Sequence, residues 1–123
     1  DAMVERGYGR IVNLASIAGL EAKPYSIAYA TSKAAVVGFT RSLGQALAPE
    51  NVRVNAVAPG LIDTEILHGV DPALLEKLIE LTPAKRIGQV EEVANLVSFL
   101  LSDESDFIVG QTMVVSGGRV NLP

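Results

Sequence analysis

Apolar and polar positions change period along this chain, and each change marks an element. Residues 10–15, Arg-Ile-Val-Asn-Leu-Ala, are a short β-rich run that predicts a strand. Residues 27–47 carry Val36, Val37, Phe39, Leu43 and Leu47 at helical spacing, and Pro49 ends the helix. Those positions cover more than one stripe, so this helix is expected to be buried on more than one side and to meet a second surface beyond its own sheet. A second strand is predicted over 51–57, with Pro59-Gly60 turning the chain sharply after it. Asp71-Pro72 provides an N-cap and a first helical residue for a helix through about Glu80, on which Leu74, Leu75, Leu78 and Ile79 are helically spaced. Residues 91–101 predict a further helix with acidic residues in its first turn, and 112–115 a last strand before Ser116-Gly117-Gly118. Ala2 to Arg6 reads as one helical turn stopped by Gly7 and Gly9, too short to stand alone in water. It is expected to be the tail of a helix that begins upstream, since the first residue is Asp and not Met.

Strand, helix, strand, helices, strand is two consecutive βαβ units. That order implies an α/β fold: a parallel sheet of about three strands with flanking helices and right-handed crossovers. Ligands of open parallel sheets bind beyond the carboxyl ends of the strands. Ser16, Tyr29 and Pro59-Gly60 all fall at or just after such ends.

Composition narrows the function classes. With 49% hydrophobic residues the 123-residue chain is neither disordered nor a linker. Aromatics are only 5%, so the core is aliphatic, as a buried parallel sheet requires. Net charge is −4 with no basic cluster, and neither nucleic acid nor a membrane is expected as a partner. The longest apolar stretch, 93–101, is interrupted by Asn95 and Ser98 and is too short to span a bilayer. The absence of cysteine removes disulfides and thiolate metal sites, fits a reducing compartment and gives the expectation of a cytoplasmic protein without a metal.

Tyr29 and Lys33 stand four apart in Tyr29-Ala30-Thr31-Ser32-Lys33, on one face of a predicted helix. A cation beside a phenol favours the phenolate, and a hydroxyl that can trade its proton is a general acid/base. Ser16, at the end of the preceding strand, could polarise a substrate oxygen or merely cap the strand end. Thr64 precedes a helical stretch, where a threonine is often an N-cap. Asn13 and Asn55 are expected to satisfy strand-end backbone groups, and Gly117-Gly118 to serve turn geometry. His68 is the only histidine; with no Gly-x-Ser-x-Gly and no acid partner identifiable, it is expected to be a surface residue of no hydrolase.

Three segments carry a family likeness: Gly9-Arg10-Ile11-Val12-Asn13-Leu14-Ala15-Ser16, the Tyr29–Lys33 pentad, and Val52-Arg53-Val54-Asn55-Ala56-Val57-Ala58-Pro59-Gly60. With Phe99 to Glu104, Gly110-Gln111-Thr112 and Ser116-Gly117-Gly118, they resemble the classical short-chain dehydrogenases/reductases, and most of all the 3-oxoacyl-carrier-protein reductases. The likeness runs over essentially the whole chain. It implies hydride transfer between NAD or NADP and a small carbonyl/alcohol substrate. Ser16 would hold the substrate oxygen, Tyr29 would be the acid/base, and Lys33 would support Tyr29 and bind the nicotinamide ribose. Pro59 and Gly60 would let the backbone approach the nicotinamide, with the Ile62 backbone and the Thr64 hydroxyl on its carboxamide and phosphate side. Residues 61–87 would form a mobile substrate lid.

The same likeness implies what is not in these residues. No Gly-x-x-x-Gly-x-Gly phosphate loop occurs, and the family's catalytic asparagine would precede Asp1. The chain therefore reads as one partial domain, residues 1–123: the carboxyl-terminal half of a Rossmann-like doubly wound sheet, without the dinucleotide-binding half. The strand that ends at Ser16 would then be an unpaired apolar edge, an association liability. The expectation is a homo-oligomer, or a pairing with the missing half. Two function classes follow: an oxidoreductase whose chain alone is incomplete, or a non-catalytic half-domain of that descent serving assembly or binding.

Overall fold

A computed structural model describes residues 1–123. Three parallel strands form one sheet in the order β1-β2-β3: β1 (Gly9–Leu14), β2 (Val52–Pro59) and β3 (Thr112–Val115). Four α-helices accompany them: α1 (Ala2–Glu5), α2 (Ile27–Leu47), α3 (Pro72–Glu80) and α4 (Val90–Leu101). The α/β reading holds, with β1 as an edge strand. No helix is long and apolar enough to cross a membrane.

The core sits on β2, the central strand. Val52, Val54, Ala56, Val57 and Ala58 are fully buried because β2 is paired on both sides and covered on both faces. Ala15, Ala56 and Ala58 make one face so shallow that Val36 and Val37 of α2 reach down onto it. The other face meets α4. β2 runs two residues further than its sequence pattern predicts. Ala58 and Pro59 pair with Val114 and Val115, and Gly60 then donates its N–H to the Val115 carbonyl at 2.8 Å. Asn51, the expected first residue, is instead a left-handed turn residue at φ 56°, a conformation asparagine tolerates.

Buried polar side chains tie the layers together. Asn55 is 1% exposed; its amide donates to the Ile108 carbonyl at 2.9 Å, and its oxygen accepts the Gln111 N–H at 2.9 Å. It thus satisfies backbone, as expected, and pins the entry to β3. Asn13 does not do so: its amide donates to the Thr40 hydroxyl on α2 at 3.0 Å. Thr40 is fully buried against the strand, so a side chain is the nearest acceptor. At the amino end of the sheet, Arg10 donates to Asp103 at 3.3 Å and Asp106 at 2.8 Å, under the Tyr8 ring at 4.5 Å. Gly117 and Gly118 take φ of 61° and 86°, as the turn after β3 requires.

The second surface expected for α2 is not found within this chain. Ile27 and Phe39 on its outward side are 71% and 59% exposed. The whole chain presents 7563 Å² of accessible surface, where a compact monomer of its mass presents about 6,300 Å². The excess is uncovered helix and sheet face, since β1's Leu14 is also exposed.

Candidate active site

Ser16 leaves β1 with extended backbone, and its hydroxyl oxygen accepts the Ala18 N–H at 3.1 Å. That bond starts a single 3₁₀ turn over Ile17–Gly19, which no periodic pattern announces. The cap uses a lone pair only, so the Ser16 hydroxyl proton stays free. The turn then lies flat on α2: a Cβ on Gly19 would stand 2.6 Å from the Lys33 carbonyl carbon. Glycine permits this approach, and the approach sets Ser16 beside the helix that carries Tyr29 and Lys33.

On α2 the two residues share a face as their spacing requires, with the Lys33 ammonium 5.8 Å from the centre of the Tyr29 ring. Lys33 is held from behind, donating to the Leu14 carbonyl at 2.9 Å. Leu14 ends β1, and its carbonyl has no strand to its outer side to bond, so it takes the ammonium instead. Sequence reasoning reaches the edge strand but not that partner, because the contact depends on how α2 lies over the end of β1. The Tyr29 ring is half exposed and its hydroxyl makes no hydrogen bond within the chain.

A cleft of about 590 Å³ opens at the carboxyl ends of β1 and β2, within the size range of small-molecule sites. Ser16, Tyr29, Pro59, Gly60, Ile62 and Thr64 all line it; of the residues to which the family likeness gives a catalytic or cofactor role, only Lys33 stands outside, behind the tyrosine. Thr64 precedes a 3₁₀ turn over Glu65–Gly69 but its side chain makes no capping bond. Ile62 bridges to Gly88 in a way that uses its neighbours: Asp63 N–H donates to Gly88 O at 2.8 Å, and Gly88 N–H to Leu61 O at 2.9 Å. Ile62's own N–H and C=O are left without partners and face away from that bridge. The cleft wall also includes Val90, Val93, Ala94 and Val97 of α4. Their i, i+3, i+4, i+7 spacing signals an apolar stripe, but such a stripe reads as core until a neighbouring surface is known to be open.

The segment 61–87 leaves the sheet at Gly60 and is clamped where it returns. The bridge to Gly88 closes its neck, Ala84 N–H donates to Gly117 O at 3.0 Å, and Arg86 grips Glu92 by two bonds of 2.7 and 2.8 Å. The Arg86 guanidinium and then the Gln89 N–H hold the Glu92 carboxyl down at about 2, and Glu92 in turn keeps Arg86 more firmly protonated. Within the segment, α3 begins at the Asp71 cap, whose carboxylate accepts the Leu74 N–H. One expectation fails here: an acid does stand beside His68, with Asp63 Oδ1 3.5 Å from its Nε2. The intervening 3₁₀ turn folds the two together, a contact five residues apart that an irregular segment hides. Both are largely exposed and no serine accompanies them in the hydrogen-bond pattern.

Residues 1–119 match the protein family described as enoyl-(acyl carrier protein) reductase. The chain belongs to the short-chain dehydrogenase/reductase family. It is 45% identical over 120 residues to a 2-dehydro-3-deoxy-L-rhamnonate dehydrogenase (NAD(+)) of a Sphingomonas species, covering 98% of this chain and 48% of that protein. The crystal structure of a 3-oxoacyl-[acyl-carrier protein] reductase from Brucella melitensis superposes with a TM-score of 0.93 at 43% identity, covering 98% of this chain and 46% of that one. A gluconate 5-dehydrogenase from Burkholderia cenocepacia in complex with NADP and tartrate superposes with a TM-score of 0.91 at 38% identity, over 96% of this chain and 47% of that one. Members of this oxidoreductase family with NAD and with NADP thus both lie near it. The chain spans about half the length of the curated relatives it matches.

Proposed function

We propose that this chain is the proton-handling and substrate half of an NAD(P)-dependent carbonyl/alcohol oxidoreductase. The observation that carries the reading is the convergence on one cleft of Ser16, Tyr29, Pro59, Gly60, Ile62 and Thr64, with Lys33 behind Tyr29. In the reduction direction, Ser16 donates its free hydroxyl proton as a hydrogen bond to the substrate oxygen. Tyr29 transfers its phenolic proton to that oxygen as the carbonyl carbon is reduced, and the Lys33 ammonium faces the phenolate that remains. Solvent returns the proton. In the oxidation direction each movement reverses.

The unpartnered Ile62 N–H and C=O and the free Thr64 hydroxyl fit a planar carboxamide, which needs one acceptor and a donor. Ile62 and Thr64 would hold that end of the cofactor, with Pro59 and Gly60 against its ring and Lys33 and Tyr29 near its ribose. The bound nicotinamide supplies or accepts the hydride. NAD and NADP are alternatives that these residues do not separate. Nothing in the chain offers a glycine-rich helix N-terminus to a pyrophosphate, so most of the cofactor's affinity must come from elsewhere. A dinucleotide-binding half supplies it. Residues 61–87 act as a substrate lid whose neck is fixed at Gly88 and whose 3₁₀ turn and α3 move.

NADH and NADPH titrated against the chain alone, and against the chain joined to the amino-terminal half of a 3-oxoacyl reductase, test this. Weak binding by the chain and dinucleotide-dependent carbonyl reduction by the joined protein are expected. Tight binding by the chain alone refutes the need for a second half, and a joined protein that binds cofactor yet reduces no carbonyl refutes the catalytic role.

A further inference from the structure

Hydroxyls on helices usually bond back to their own helix. The Ser32 hydroxyl donates to the Tyr29 carbonyl at 2.7 Å, and the Thr82 hydroxyl to the Leu78 carbonyl of α3 at 3.0 Å. Thr40 of α2 differs. It is fully buried, and its one hydrogen bond crosses to the sheet, where it accepts the Asn13 amide of β1 at 3.0 Å. The layer beside it is apolar, with Val36 and Val37 packed on Ala15, Ala56 and Ala58. An apolar pair would fill that layer equally well. The best-attested use of a buried polar pair in such a place is to fix register.

The contacts on either side of this bond are close but not directional. A Cβ on Gly19 would stand 2.6 Å from the Lys33 carbonyl carbon, and one on Gly44 2.6 Å from Gly110 Cα. Such packing limits how near α2 comes and leaves it free to slide and turn. A slip of one residue is a shift of about 1.5 Å and a turn of about 100°, whereas a hydrogen bond tolerates only a few tenths of an ångström. The same strand end and the same helix meet again where the Lys33 ammonium donates to the Leu14 carbonyl at 2.9 Å. The lysine stem is flexible and follows the helix; the short Asn13 and Thr40 side chains do not.

Resting on the acid/base reading above, we infer that Asn13 and Thr40 are positioning residues of the site: their bond fixes α2 along β1 and so sets Tyr29 and Lys33 against Ser16. Neither lines the cleft. The double variant Asn13→Leu/Thr40→Val tests this in the full chain. Exchanging both partners for apolar groups of similar shape costs little stability, so the urea midpoint should hold while the placement is lost. Placement is read from the Leu14 carbonyl carbon resonance. Lys33→Met should move that resonance in the unaltered chain and in Thr40→Ser, which keeps the hydroxyl, but not in the double variant. In the joined protein the double variant should lower kcat about 10–100-fold with the KM of the carbonyl substrate unchanged, and Thr40→Ser should keep kcat. A double variant that unfolds, that retains the Leu14 response or that retains full kcat overturns the inference, as does loss of the response in Thr40→Ser. An unaltered joined protein that reduces no carbonyl strikes the catalytic reading alone, because the Leu14 response is read without chemistry.

Discussion

The two ends of the sheet treat polar groups in opposite ways. At the amino end, Arg10 is bound by Asp103, Asp106 and the Gly9 carbonyl beneath the Tyr8 ring. The Tyr8 hydroxyl donates to Asp103, and Arg53 donates to the Asp106 and Ala48 carbonyls. Only Arg10 Nε is buried without a partner. At the carboxyl end, the Tyr29 hydroxyl, the Ser16 hydroxyl proton, the Thr64 hydroxyl and the Ile62 peptide groups are all left free around a cleft. These groups are reached by solvent, so water satisfies them until a ligand displaces it. The contrast separates a network that holds the chain together from one that waits for a ligand, and it predicts that substitutions at the two ends damage different things.

The largest effect should come from Tyr29→Phe. It removes only a hydroxyl that holds nothing in this chain, so the unfolding midpoint should not move. In an active assembly, removal of the acid/base should slow carbonyl reduction about 10²–10⁴-fold. A variant that reduces carbonyls at full rate would detach the free hydroxyl from catalysis and collapse the contrast between the two ends.

Next comes Gly19→Ala, at the join between the Ser16 turn and the Lys33 helix. The new Cβ would meet Lys33 and Ala34 backbone atoms at 2.6–2.8 Å. Backbone yields poorly, so a loss of about 1–3 kcal/mol is expected from urea unfolding. Gly38→Ala on the same helix is the control. No atom lies within 4 Å of its Cβ, and the exchange should stabilise by about 0.5–1 kcal/mol through helix propensity. Equal and small effects at both glycines would mean that the Ser16 turn is not pressed on the helix.

Much of this was legible from residues because the signals were local. Asp71-Pro72 set the start of α3, Pro49 the end of α2, and the branched runs all three strands. Spacing put Tyr29 and Lys33 on one helix face, and the flanking segments that resemble the family gave the pair its role. What stayed hidden depends on contacts across the fold. The extra length of β2 comes from pairing with β3, more than fifty residues away in sequence. The Leu14 carbonyl meets Lys33, and Asn13 finds Thr40, only once α2 lies on the sheet. The outer face of α2 is the converse case: its apolar pattern predicts a second covering surface, yet Ile27 and Phe39 there are exposed.

At the amino end, Arg10→Met should cost stability and leave chemistry alone. The Arg10 side chain is 5% exposed, but Asp103 and Asp106 are 83% and 55% exposed, so solvent screens the ion pairs. Methionine keeps the apolar stem, and the unpartnered Nε disappears. The net loss should be only about 1–2 kcal/mol, from the cation–π contact and the hydrogen bonds, measured by urea unfolding, with carbonyl reduction by the joined protein unchanged. A slowed reduction would show that the amino end reaches the cleft through β1.

The smallest effect is at the neck of residues 61–87, the proposed lid. Glu92 is held near 2 in the folded chain against 4.5 for an ordinary carboxyl, chiefly by the Arg86 guanidinium and then by the Gln89 N–H. A carboxyl lowered by folding stabilises the fold above its unfolded value, and that contribution fades as pH falls from about 4.5 toward 2. Protonation there removes one arm of the α4 capping box and the grip on Arg86 together. Glu92→Gln keeps a side chain able to cap but carries no charge, so its stability should lack this acid-dependent part. Since Glu92 is exposed, the difference should be slight in global unfolding and clearer in hydrogen exchange at Gln89 and Gly88, whose amides fasten the neck. Those two amides should lose protection in the unaltered chain between pH about 4.5 and 2 while the β2 amides keep theirs. If the neck and the sheet open together instead, residues 61–87 are part of the core's cooperative unit and cannot serve as a lid that moves by itself.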